Sequence, residues 1–190
     1  MNTTKTMNLE HKTIENADAI SSQILQTTQK KFGLIPNMYL GMANNTALLD
    51  GYVSAYNSFR SNSGFSPQEQ EVIFLSIAFE NGCEYCMAAH SFVGDKMTKV
   101  PVEVTNAIRN NTEIPHEKFK ALSLFSRAVT LKRGFPSETD INDFIKAGYN
   151  EHHIIGVIAA VGIKTMSNYF NHIFNTPVDD AFKSRVWKKH

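Results

Sequence analysis

The sequence predicts an all-α protein, a bundle of about eight helices, on three observations. Apolar residues recur at helical spacing through most of the chain, helix start and stop signals bracket those stretches, and no β-alternation of useful length occurs. The elements follow in order. Ile20, Ile24, Leu25 and Phe32 share one face of a helix over about 17–32 that Gly33 closes. Pro36 opens a short turn with Met38, Leu40 and Met42, and Asn44-Asn45-Thr46 caps a helix running to about Arg60. Ser66-Pro67-Gln68-Glu69 has the form of a capping box with proline at the first helical position, so a helix starts at Pro67 and runs to about Glu80. Asn81-Gly82 punctuates it, and the next helix is expected from about Cys83 to Lys96. Further helices are expected over about 101–109, from Pro115 to the Gly134-Phe135-Pro136 break, over 137–147, and from Asn150 to Phe174. The last is apolar nearly all round between Ile154 and Ile163, which places it in a core or at a subunit interface.

A chain of 190 residues supports one well-buried domain, expected over 16–178, with a polar tail over 1–15 that takes no part in the fold and a C-terminal tail over 179–190. With 19 basic and 18 acidic side chains the formal charge is +1, which gives no electrostatic case for nucleic acid or an anionic membrane. The longest uncharged apolar run is about half of the roughly 20 residues a bilayer span needs. The polar start has no apolar segment of the kind a secretory signal carries. Two cysteines in CxxC spacing do not staple a chain of this size, so a cytoplasmic location and a redox or metal role are expected of them.

Chemistry-bearing residues concentrate between Glu71 and His90. Both cysteines, Cys83 and Cys86, lie there three residues apart, with His90 one helical turn beyond Cys86. If the chain turns back at 81–82, Glu71 and His90 come nearly level; a straight helix would leave Glu71 on the order of 18 Å from Cys83. The carboxylate is then expected to fix the tautomer of His90 and favour its charged form, and His90 to favour the thiolate of Cys86. A helix N-terminus favours the thiolate of Cys83 instead, so geometry alone leaves the nucleophile open. Two small buried hydrophobes that happen to be spaced CxxC are the bland alternative. Structural zinc needs four ligands, and no second CxxC or HxxxH completes them. Covalent haem needs a histidine where Met87 stands. No nucleotide-binding glycine motif is present. No metal and no cofactor is expected. His152 and His153, as i,i+1 neighbours, point apart, and Asn168, Asn171 and His172 are expected to line a pocket or seal a subunit contact.

Glu71, Cys83, Cys86 and His90 fit the pattern E-x11-C-x2-C-x3-H, and the chain thereby resembles the alkylhydroperoxidase D-like (AhpD-like) group of the carboxymuconolactone decarboxylase family. The similarity runs from about Phe32 to Pro177, through the phrases FGLIPN and NYFNHIFNTPVD. The resemblance implies a thiol peroxidase or disulfide oxidoreductase. In it Cys86 attacks a hydroperoxide, Cys83 resolves the product, and an external dithiol restores the pair. It also implies a homo-oligomer, a trimer or a multiple such as a hexamer. Tyr85 departs from the pattern, standing where the best-studied peroxidases of the group carry a second histidine; it is a candidate for contact with substrate in the pocket. Two rivals accompany this reading: a cofactor-free decarboxylase of the carboxymuconolactone type, which does not depend on a CxxC pair, and a non-catalytic redox sensor, to which Tyr85 lends weight.

Overall fold

A computed structural model describes residue 7 and residues 9–189. Among them there is no strand, and the helices are α1 (Ala19–Phe32), α2 (Asn37–Met42), α3 (Thr46–Asn62), α4 (Pro67–Asn81), α5 (Glu84–Val93), α6 (Val102–Asn110), α7 (Glu117–Leu131), α8 (Glu138–Lys146) and α9 (Glu151–Phe174). Eight helices have at least seven residues, as the apolar spacing predicts. A π-helical turn, Gly94–Thr98, extends α5, and a 3-10 helix, Asp180–Arg185, follows α9.

Side-chain chemistry sets the boundaries. Asp18 accepts from the Ile20 and Ser21 amides to start α1, and Ser66 and Glu69 form the expected capping box with Pro67 at the first helical position. Gly82 adopts φ 68°, and its N–H caps the Ala78 and Phe79 carbonyls, which stops α4 and turns the chain back onto it. Cys83 is therefore not inside a helix as its spacing predicts. It is the extended N-cap of α5, because the residue following a left-handed glycine is needed to complete the turn.

The bundle is built around α4, whose residues Glu69 to Ala78 are all buried. It packs against α5, α6, α7 and α9, while α1 and α2 cover α3 and α8 covers α7. The apolar run of α9 is not enclosed all round: Val157, Ala160 and Ile163 face the core, but Ile155 and Ile158 are 66% and 57% exposed.

Both segments expected to be tails pack onto the bundle where they are described. Leu9 and Ile14 lie against the core, and the amides of Met7 and Lys12 donate to Ile173 O and Leu40 O. Residues 1–6 and 8 lie outside the described residues. At the other end, Phe182 packs on Tyr85 and Phe92, and the buried Trp187 donates its indole N–H to Arg109 O at 2.8 Å. The physical reason is that these stretches carry apolar anchors spaced too irregularly to read as a helix.

Candidate active site

The turn at Gly82 brings α5 alongside α4 and closes the expected pairing: His90 Nδ1 lies 2.8 Å from Glu71 Oε2. A carboxylate only accepts, so Nδ1 carries the proton and Nε2 presents a lone pair. The other carboxylate oxygen, Oε1, is 2.5 Å from the Arg60 guanidinium of α3, which also donates to Tyr56 Oη and Gln70 Oε1. Glu71 is fully buried. Burial pushes its carboxyl up, but His90 and then Arg60 outweigh that and hold it below the usual range. His90 behaves differently from the expectation that the carboxylate would favour its charged form. Burial, and after it the ammonium of Lys164, pull the imidazole below its ordinary value despite Glu71. Burial and Lys164 thus favour the neutral ring.

Cys83 and Cys86 are buried, 3.5 Å apart and not disulfide-bonded. Cys86 forms part of the wall of a cleft of about 630 Å³, together with Tyr39, Tyr52, Tyr56, Met97 and Phe182; Cys83 does not reach it. The two thiols are driven apart electrostatically. Burial raises Cys86, but a hydrogen bond from the Cys83 thiol, the charge of Lys164 and then His90 prevail and hold it well below the ordinary thiol range. The bond given to Cys86, followed by burial, pushes Cys83 well up.

A polar stripe on α9 completes the surroundings. Asn171 Nδ2 lies 3.4 Å from Cys86 Sγ and 3.7 Å from Cys83 Sγ, and Ser167 Oγ is 3.9 Å from Cys86 Sγ. Asn168 instead accepts from Asn81 Nδ2 at 2.8 Å, tying α9 to the turn. Asn171 was legible only as one of several pocket or interface polars, and Lys164 and Ser167 were missed. The available signal was the spacing Lys164, Ser167, Asn168, Asn171, a polar i, i+3, i+4, i+7 face on an otherwise apolar helix. Tyr85 is buried at the edge of the cleft, and its hydroxyl donates to Asp179 Oδ2 at 2.5 Å. His152 and His153 lie at the far end of α9, away from the thiols, where His153 caps the helix with Asn150. Among the described residues no group of three or more His, Cys, Asp or Glu is placed to hold a metal ion.

No family model matches the chain, and no curated protein does. Solved structures do. A protein of Ralstonia eutropha, described as an alkylhydroperoxidase AhpD core and an uncharacterized peroxidase-related protein, superposes with a TM-score of 0.83 at 20% identity, over 95% of this chain and 97% of its own. The chain has the AhpD-like fold. An uncharacterized peroxidase-related protein of Silicibacter matches with a TM-score of 0.78 at 18% identity, over 96% of this chain and 98% of its own. A cysteine-to-alanine variant of the debrominase Bmp8, in complex with 2,3,4-tribromopyrrole, matches with a TM-score of 0.78 at 15% identity, over 96% and 97%. Proteins described as peroxidase-related and a protein described as a debrominase thus share this fold, which leaves the chemistry of this chain to its own residues.

Proposed function

We propose that this AhpD-like protein is a thiol-dependent peroxidase that reduces organic hydroperoxides through Cys86 and Cys83. The observation that supports it best is the pair of unbonded sulfurs of opposite tendency, with the acidic one at the cleft. The Cys86 thiolate attacks the distal peroxide oxygen: an S–O bond forms, the O–O bond breaks, and the departing alkoxide takes a proton to leave as alcohol. His90 relays that proton, taking it from water at Nε2 and handing it to the alkoxide, with Glu71 holding its ring through Nδ1. The Cys83 sulfur then displaces water from the Cys86 sulfenic acid, and an external dithiol reduces the resulting disulfide by exchange. Tyr85 shapes the cleft edge, and the aromatic walls admit an apolar organic group. The need for a reducing partner suits the cytoplasm. Among the described residues no helix is long and apolar enough to cross a membrane. The exposed isoleucines of α9 support self-association; a trimer or a multiple of it is what the resemblance implies.

One equivalent of organic hydroperoxide should remove two hydrogens from the peptide spanning residues 83–86, read by mass spectrometry. C86S should abolish peroxide consumption, and C83S should permit one turnover and leave Cys86 as sulfenic acid. The reverse pattern would exchange the two roles, and no oxidation of either would end the reading.

A second reading is favoured by the aromatic lining and by the debrominase among the structural matches. The same pair, one thiolate and one thiol, can reduce a carbon–bromine bond, giving the arene and bromide as the two sulfurs become a disulfide and the thiol proton goes to carbon. Bromide release from a bromopyrrole, with hydroperoxide left untouched, would select it.

A further inference from the structure

We propose that Lys164 is the counter-ion of Cys86: a buried ammonium that keeps this sulfur a thiolate, while His90 stays uncharged and free to move a proton. It rests on the reading of Cys86 as the attacking sulfur.

Lys164 is fully buried in the middle of α9, and its Nζ has no hydrogen-bond partner among the described residues. It sits 5.3 Å from the centroid of Phe74, whose ring also packs against Arg60 and His90, each at 4.9 Å. Ser167 and Asn171, three and seven residues further along the same face of α9, both reach the Cys86 sulfur. An ammonium taken out of water without a counter-charge is costly, and attraction to a face-on aromatic ring recovers only part of the loss.

The neighbouring groups leave one candidate for the missing negative charge. From α3, Arg60 is already paired with Glu71 of α4, and burial pushes the hydroxyls of Tyr52 and Tyr56 up, so they stay protonated. On and beside α5, Tyr85 is likewise pushed up by burial and by Asp179, and Cys83 is pushed up by its bond to Cys86. His90 of α5 and His172 of α9 are lowered, chiefly by burial, and carry no negative charge in either form. Cys86 remains, and it is the acid whose ionisation the bond from the Cys83 thiol and, after it, Lys164 favour.

The pairing also bears on redox balance. When Cys86 and Cys83 give up two electrons and form a disulfide, the thiolate is lost and the ammonium is stranded. Lys164 therefore favours the reduced dithiol and makes the disulfide the stronger oxidant toward an incoming thiol.

The test follows the ultraviolet absorbance of the thiolate against pH in wild type, K164M, K164R and H90Q, with folding checked by circular dichroism. Wild type should ionise well below the ordinary thiol value of about 8.5. K164M should raise the midpoint by at least about one pH unit, and K164R should restore most of the depression. H90Q should leave the midpoint low. Equilibration with glutathione should show K164M at least about tenfold harder to keep reduced, about 30 mV more negative. A wild-type midpoint in the ordinary range, meaning an uncharged thiol, overturns the proposal. So does a folded K164M with the wild-type midpoint, or an H90Q that alone returns the sulfur to ordinary acidity. Should K164M fail to fold, the wild-type, K164R and H90Q midpoints decide on the same terms. The readout is ionisation rather than turnover: a low midpoint without peroxide consumption ends the peroxidase reading and leaves Lys164 in place, and an ordinary midpoint with consumption does the opposite.

Discussion

Glu71 holds two partners with two oxygens inside the bundle, Arg60 through Oε1 and His90 through Oε2. Replacing it by glutamine leaves a guanidinium that is mostly enclosed without its counter-charge. E71Q should therefore lower unfolding free energy by about 3–5 kcal/mol, measured by urea denaturation. His90 sets a pH dependence of definite sign. Its folded value lies below the ordinary 6.5, so just under that pH the unfolded chain binds a proton the folded chain refuses. Stability should fall as pH drops from 6.5 toward that lowered value, and H90Q should remove this part of the slope. Glu71, also lowered, adds its own loss at more acid pH as it becomes protonated below 4.5. The pairing of Glu71 with His90 was legible because Asn81-Gly82 marks the turn. The charge state of His90 was not, since burial and Lys164 come from the assembled bundle and outweigh the carboxylate beside it.

At the scale of elements, the contact between α9 and the link from α3 to α4 depends on a close approach at Gly156. A Cβ there would lie 2.9 Å from Phe65 Cε2 and 3.2 Å from the Ser63 carbonyl oxygen. Alanine would gain about 1 kcal/mol in helix propensity and lose about 1–3 kcal/mol to overpacking. The loss should prevail because a backbone carbonyl cannot rotate away. G156A is expected to lower Tm by about 2–4 °C in a thermal melt. Helix existence and order were legible from apolar spacing and caps. What escaped was tertiary: Cys83 leaves the helix because the chain reverses beside it, and the 3-10 helix Asp180–Arg185 owes its place to Phe182 and to Asp179 rather than to any periodicity of its own.

Across the whole molecule, α9 separates two environments. One side carries Lys164, Ser167 and Asn171 toward the thiols, and the other leaves Ile155, Ile158, Tyr169 and Ile173 in solvent. The run of apolar residues was legible, but which side stays uncovered depends on where α3, α4 and α7 lie. If that side seats a second copy, I158K should shift sedimentation velocity to a smaller species and leave the thiolate midpoint of Cys86 unchanged; an identical sedimentation profile would exclude this face from assembly.

The carboxylate of Asp179 grips the Asn37 amide with one oxygen and the Tyr85 hydroxyl with the other. Three distant points of the chain are thus fastened beside the cleft by a residue made after α9. During synthesis the ribosome releases both cysteines long before this clasp exists, so the nascent protein passes through an interval in which Cys86 stands beside an unfinished wall.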